Sequence, residues 1–258
     1  RDHKDQPFFL HYCPYAVHTP LQAPKKLVSK YRKKKTPHQS QPVYAAMLES
    51  VDHAVGRILQ ALDRYGLREQ TLIIFTSDNG GLQDYATDNA PLRAGKGYPY
   101  EGGIRVPLIV CWSGRIEAGT LCRIPVTSPD LFPTICAAAG VPLPEGRVID
   151  GKNLWPLLSQ KDPFERNALF WHFPHYRGDV VPYSIIRKDD WKLIRRYEGR
   201  RFELFNLRED IGEKNDLSDR MPDKVRELDA LLQTWLEETG ARLPVKDPDE
   251  RKDPEKTR

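Results

Sequence analysis

The sequence predicts an α/β domain followed by a smaller antiparallel sheet with one closing helix. Residues 71–76 (TLIIFT) form a continuous β-branched and aromatic run of the kind buried on both faces of a parallel sheet, and residues 105–112 form a second. Helical periods lie around these runs, so strands and helices alternate. Beyond about Ser159 the pattern shifts to short apolar runs, Leu169–Phe173, 183–187, Trp191–Arg196 and 202–205, separated by Gly, Pro and Asp. The divisions that follow are 1–160 for the α/β part, 161–242 for the small sheet with its terminal helix, and 243–258 for a charged, proline-broken tail expected to be disordered.

In chain order, residues 7–12 (PFFLHY) read as a buried strand entering a loop that carries His18-Thr19-Pro20. Residues 25–35 hold seven Lys/Arg and no acid, and with Pro37 and Pro42 following they are expected to be exposed and irregular. From Pro42, a good first-turn residue, Tyr44, Met47, Leu48, Val51, Val55, Ile58, Leu59 and Leu62 recur at three and four, an amphipathic helix ended near Gly66. Residues 128–139 read as a capped helix stopped by Gly140. Asp189-Asp190 suits a hairpin turn, and Pro222–Glu238 places Val225, Leu228, Leu231, Leu232, Trp235 and Leu236 on one helical face.

A chain of 258 residues with 39% hydrophobic and 29% charged residues can bury a core of its own. No apolar run approaches the ~20 residues of a bilayer helix. A net charge of +4 is too small to imply a nucleic-acid partner without a concentrated basic face. Cys13, Cys111, Cys122 and Cys136 form no zinc-like spacing; Cys111 and Cys122 could bridge a hairpin, and free thiols fit the spacing equally. The chain opens on Arg1 with no signal-like segment, and is read as a piece of something longer, its compartment and oligomeric state undetermined.

The chemistry centres on Asp78 and Asn79. Two adjacent oxygen donors at a strand's carboxyl end, before Gly80-Gly81, can reach one hard cation such as Ca²⁺ or Mg²⁺, although the same four residues are also ordinary turn formers. Lys96 lies in Gly95-Lys96-Gly97-Tyr98-Pro99-Tyr100-Glu101-Gly102-Gly103, a loop that reads as too glycine-rich for packing and able to bring an ammonium to an oxyanion. His18 could donate to a substrate oxygen or protonate a leaving group. The basic run 25–35 could steer an anionic polymer, and the tryptophans could include a sugar platform, but a solvated loop and core packing explain both more simply.

Taken together, Phe8-Phe9-Leu10, His18-Thr19-Pro20-Leu21, Thr76-Ser77-Asp78-Asn79-Gly80-Gly81, Gly95-Lys96-Gly97 and Glu101-Gly102-Gly103-Ile104-Arg105-Val106-Pro107 resemble the type I, arylsulfatase-like sulfatases in order and spacing. Further matches are Val126-Thr127-Ser128-Pro129-Asp130-Leu131-Phe132-Pro133-Thr134, Trp191-Lys192-Leu193-Ile194 and Glu203-Leu204-Phe205-Asn206-Leu207. The resemblance implies an alkaline phosphatase-like sheet flanked by helices, with a smaller C-terminal antiparallel sheet plus helix. It also implies a Ca²⁺ or Mg²⁺ ion with Asp78 and Asn79 among its ligands, and Lys96 and His18 as catalytic, substrate-binding contacts to sulfate. The implied substrate is a sulfated small molecule or carbohydrate, with no nucleic-acid partner and no membrane span; relatives are mostly secreted, periplasmic or lysosomal.

One departure stands out. No segment carries the C/S-x-P/A-x-R motif whose Cys or Ser becomes the formylglycine nucleophile of these enzymes, and the early strand with paired aspartates is lacking. The N-terminal third or so of the enzyme is therefore expected to be absent here, formylglycine with it, and this half-site alone is not expected to turn over substrate. The rivals are a phosphatase or phosphodiesterase of the same superfamily and a non-catalytic anion-binding derivative. Asn79 argues against the first, because those relatives commonly place a histidine there for Zn²⁺ or Mn²⁺.

Overall fold

The computed structural model describes residues 5–34, 41–83 and 85–245. In chain order it contains α1 (Lys25–Arg32), α2 (Pro42–Arg64), β1 (Ile73–Thr76), α3 (Glu101–Ile104), β2 (Leu108–Cys111), α4 (Leu131–Ala139), α5 (Trp155–Ser159), β3 (Leu169–Phe173), β4 (Tyr183–Lys188), β5 (Trp191–Arg196), β6 (Phe202–Asn206) and α6 (Pro222–Glu238). The chain divides into two compact units, Arg1–Asn89 with Arg105–Glu165, and Ala90–Ile104 with Arg166–Arg258. No helix among the described residues is long and apolar enough to cross a membrane.

In the first unit α2 spans the predicted period, with Pro42 in its first turn and Ala45, Ala46, Met47 and Leu62 buried, while Leu48 is exposed rather than packed. Residues 25–32 form α1 instead of an irregular segment: the basic side chains are separated by Leu27, Val28 and Tyr31, Val28 is buried, and Lys30 Nζ bonds Glu49 at 2.7 Å. Residues 35–40 lie outside the described residues, as does most of the tail expected to be disordered.

β1 corrects a prediction. It pairs antiparallel with β2, Phe75 opposite Ile109, and both of these side chains are exposed. An apolar run does not by itself specify strand direction or two covered faces. Residues 7–12 likewise form no strand; Phe8, Phe9 and Leu10 are exposed, and no neighbouring strand among the described residues supplies a ladder for their backbone. The helix predicted at 128–139 is a 3₁₀ turn, Ser128–Asp130, running into α4 and stopped by Gly140 at φ 66°. Buried Asp130 closes a capping box with Thr127 and also accepts from Lys152 N at 2.8 Å. All four cysteines are free, three of them exposed.

The strands and closing helix of the second unit follow the prediction closely, although the unit also takes in Ala90–Ile104. Strands β3-β4-β5-β6 form one antiparallel sheet, and Asp189, at φ 53°, makes the tight β4–β5 turn. Strict alternation then separates its faces. Ile186, Leu193 and Leu204 stand in register on one face and bury against Val225, Leu228, Leu232 and Leu236 of α6. Leu231, assigned to that helical face, is 39% exposed, but Trp235 stacks on Phe170 with ring centroids 4.9 Å apart. The opposite face, with Tyr183, Ile185, Ile194 and Phe205, is covered by Ala94, Tyr98, Tyr100 and Ile104. The segment Ala90–Ile104 thus belongs to the small sheet although α4 and α5 come between them in sequence.

Candidate active site

β1 delivers Asp78 and Asn79 to a bend directly after its carboxyl end. Thr76 Oγ1 donates to Pro107 O at 3.0 Å, tying the strand end to the approach to β2, and Ser77 Oγ donates to Asn79 O at 3.2 Å. Asn89 Nδ2 holds Gly81 O at 2.9 Å, and a Cβ at Gly81 would meet the Asn89 and Thr87 side chains, which would have to shift to admit it. The Asp78 carboxylate is exposed, and no hydrogen bond or ion pair among the described residues engages it or the Asn79 amide. Their side-chain oxygens accept no hydrogen bond among the described residues.

Those oxygens suit a hard cation, which takes six to eight oxygen ligands when it is Ca²⁺. Among the described residues no group of three or more His, Cys, Asp or Glu side chains is placed to hold a metal. The oxygen donors are of the type Ca²⁺ or Mg²⁺ takes, and Asp78 and Asn79 would supply only part of either ion's coordination shell.

His18 occupies a tight loop in which its N–H donates to Tyr15 O at 3.0 Å and Tyr15 Oη donates to Thr19 O at 2.8 Å. The same Thr19 carbonyl accepts from His18 Nδ1 at 2.9 Å. A carbonyl only accepts, so that bond fixes the proton on Nδ1 and leaves Nε2 as the outward-working nitrogen. The Tyr15 ring packs edge-on to the imidazole at 5.5 Å. No hydrogen bond, ion pair or ring contact among the described residues joins His18 to Asp78 or Asn79.

Lys96 sits at a turn in the second unit. Arg177 Nη1 donates to its carbonyl at 2.6 Å, Tyr183 Oη donates to Gly97 O at 3.3 Å, and Gly97 takes φ +92°, a conformation open to glycine. Its ammonium meets no carboxylate among the described residues. The glycines here also correct the sequence reading. Gly102 and Gly103 are buried, and a Cβ on either would strike the backbone carbonyls of Arg93, Ala94, Gly95 or Tyr98, so they are packing surface for the lysine loop.

Sequence reasoning missed the polar network beneath this loop. Lys192 Nζ, fully buried, lies 3.0 Å from Glu101 Oε1 and 2.8 Å from Glu213 Oε1, and Arg187 approaches Glu101 at 3.7 Å. Tyr100 Oη donates to Glu203 at 2.8 Å and accepts from Arg196 at 2.9 Å, and Arg93 stacks on the Tyr100 ring at 3.7 Å. Burial, then the Glu203 bond, pushes the Tyr100 hydroxyl up to about 12, and burial does the same to Tyr183. Burial likewise raises the Glu213 carboxyl above the usual range, against the pull of Lys192. The available signal was strand alternation: Lys192 shares a face with Ile194 and Arg196, and that face is covered.

Two family profiles match the chain, overlapping over residues 95–141. The sulfatase family profile matches residues 1–141, and that of the C-terminal part of N-sulphoglucosamine sulphohydrolase matches residues 95–241. A sulfatase of Formosa agariphila is 38% identical across 93% of this chain, and human steryl-sulfatase is 36% identical across 66% of it. The solved structure of Ps i-CgsB with k-i-k-neocarrahexaose superposes with a TM-score of 0.76 at 33% identity, covering 85% of this chain and 48% of that one. A structure of BT4656 with D-glucosamine-2-N,6-O-disulfate superposes at 0.61 with 28% identity, covering 81% of this chain and 42% of that one. The chain spans 48% of the Formosa agariphila relative and 29% of the human one, so it corresponds to about half or less of those proteins. Its fold is alkaline phosphatase-like α/β with a small antiparallel sheet and helix. With the sulfatase profile covering more than half of the chain, and a Formosa agariphila sulfatase and human steryl-sulfatase 38% and 36% identical to it, the chain belongs to the sulfatase family.

Proposed function

We propose that the whole protein hydrolyses a sulfate ester and that this chain supplies one part of the site. The reading rests on the Asp78-Asn79 bend, whose oxygens are unspent in the fold of a sulfatase-family chain. Asp78 and Asn79 would hold a divalent cation, which when bound draws negative charge off the sulfate oxygens. Lys96 offers an ammonium with no carboxylate partner among the described residues, and His18 offers its ring with Nδ1 engaged by Thr19 O. Lys96 can bind sulfate oxygens, and His18 can do so as the imidazolium, whose Nε2–H can also pass a proton to the ester's bridging oxygen. Solved relatives bound to neocarrahexaose and to glucosamine disulfate support a carbohydrate sulfate as the substrate class.

The test is Asp78→Ala in the full-length protein, read by metal content and by turnover of an aryl sulfate. Metal retention should fall, and turnover should drop by about 10²-fold or more. Preserved turnover with normal metal content would overturn the assignment, and faster turnover of a phosphate monoester would favour a phosphatase.

A further inference from the structure

Glu213 holds the segment that carries Lys96 at both of its ends. Its backbone carbonyl accepts from Arg93 Nη1 at 2.8 Å, and its Oε2 accepts from the Glu101 N–H at 2.6 Å. Arg93 and Glu101 are also brought together at the base of the loop, where Gly102 N donates to Arg93 O at 2.9 Å. Lys96 lies between those two anchors. Glu213 in turn is held by Lys192, the second residue of β5, which binds the Glu101 carboxylate as well.

Lys192, Glu101 and Glu213 are each at most 1% exposed. Burying ions in this way is a poor route to stability, because a well-packed apolar replacement of a buried charge cluster is often neutral or stabilising. What such a cluster adds is direction: each bond fixes one segment to one strand position. The backbone carries matching signs of constraint. Ala94 and Glu213 adopt left-handed conformations, φ 56° and 50°, which non-glycine residues keep only where their surroundings enforce them.

We propose that Lys192 and Glu213 are positioning residues for Lys96, setting the seat of the loop from which its ammonium reaches the substrate oxyanion. Neither touches substrate; they act through the backbone of residues 93–101. The inference rests on the sulfatase reading for its catalytic consequence, though not for the seating of the loop.

The test uses the full-length protein with the paired substitution Lys192→Met/Glu213→Gln. It removes one cation and one anion together, leaves Glu101 facing Arg187, and keeps an acceptor for the Glu101 N–H. If the pair folds poorly, Glu213→Ala alone serves, since it removes the acceptor of the Glu101 N–H and one partner of Lys192. Amide hydrogen exchange should accelerate at least about ten-fold across residues 95–103 while β3–β5 keep their protection. Turnover of an aryl sulfate should fall by about ten-fold or more in kcat at unchanged metal content. In a Lys96→Ala background the same pair should cost little further, because the residue it serves has gone. Unchanged exchange over residues 95–103, or a loss in kcat that is equally large without Lys96, would overturn the proposal. If the parent protein turns over no sulfate ester, the sulfatase reading fails, and the exchange result alone decides whether the pair seats the loop.

Discussion

Replacing Gly103 by alanine probes the seat of the lysine loop most directly. A Cβ there would stand 2.5 Å from Gly95 O and nearer still to Tyr98 O. Ordinary contact begins at 3.4 Å, so the Gly95 carbonyl alone would have to retreat by about 0.9 Å. Neither oxygen belongs to a flexible side chain. Tyr98 N already donates to Gly95 O at 3.0 Å, and the Gly103 N–H is committed to Tyr100 O at 2.8 Å. Overpacking of this kind costs about 1–3 kcal/mol. For a chain of this size that corresponds to a Tm lower by about 2–12 °C, and for the longer full-length protein to a smaller shift that calorimetry reads against the parent. Because the displaced atoms flank Lys96, turnover of an aryl sulfate well below Tm should also fall, by about ten-fold or more. Gly56→Ala is the control: it lies in α2 with nothing within 4 Å of an added Cβ, so it should be neutral or slightly stabilising. A Gly103→Ala protein with parental Tm and turnover would refute the packing argument.

Two further outcomes follow from the second unit. Leu228→Ala, at a fully buried position between α6 and the sheet, should cost about 2–5 kcal/mol in urea unfolding, and a cost below about 1 kcal/mol would mean that α6 does not close that core. In an alkaline titration followed by near-ultraviolet absorbance, Tyr100 and Tyr183 should ionise near about 12, above the ordinary value of 10.0. Their folded-state pKa values are raised, so the stability they contribute is complete below pH 10.0 and is lost as pH rises through about 12. Ionisation of all tyrosines as one group near 10 would contradict their burial.

The small sheet was legible in the sequence almost residue by residue, because its runs alternate, its turns carry Asp and Gly, and α6 repeats its leucines with a helical period. The α/β part was less so. A run such as Ile73-Ile74-Phe75-Thr76 announces a strand but not its partner, and the antiparallel pairing with β2 depends on residues 32 or more positions away. Residues 7–12 show the same limit: apolar composition marks a strand only where another strand is present to take its hydrogen bonds. For Asp78-Asn79, the placement was legible: two oxygen donors in a bend directly after a strand end. Lys192, Glu101 and Glu213 were not, since a charged residue in a strand reads as solvent-facing until the second covering layer is known. Gly102 and Gly103 misled for a related reason: the absence of a side chain looks like freedom in sequence and is close backbone contact in the fold.

The grouping of Ala90–Ile104 with the chain from Arg166 onward has a practical consequence for recombination among relatives. A chimera joined only near residue 165 would pair one parent's lysine loop with the other parent's supporting strands. Arg93, Tyr100 and Glu101 would then confront foreign residues where Glu203, Arg196, Lys192 and Glu213 now stand. A viable exchange has to transplant both stretches together, as a discontinuous cassette, or carry compensating changes at those positions. The heritable unit of this half of the protein is therefore a set of mutually fitted side chains rather than a contiguous stretch of gene.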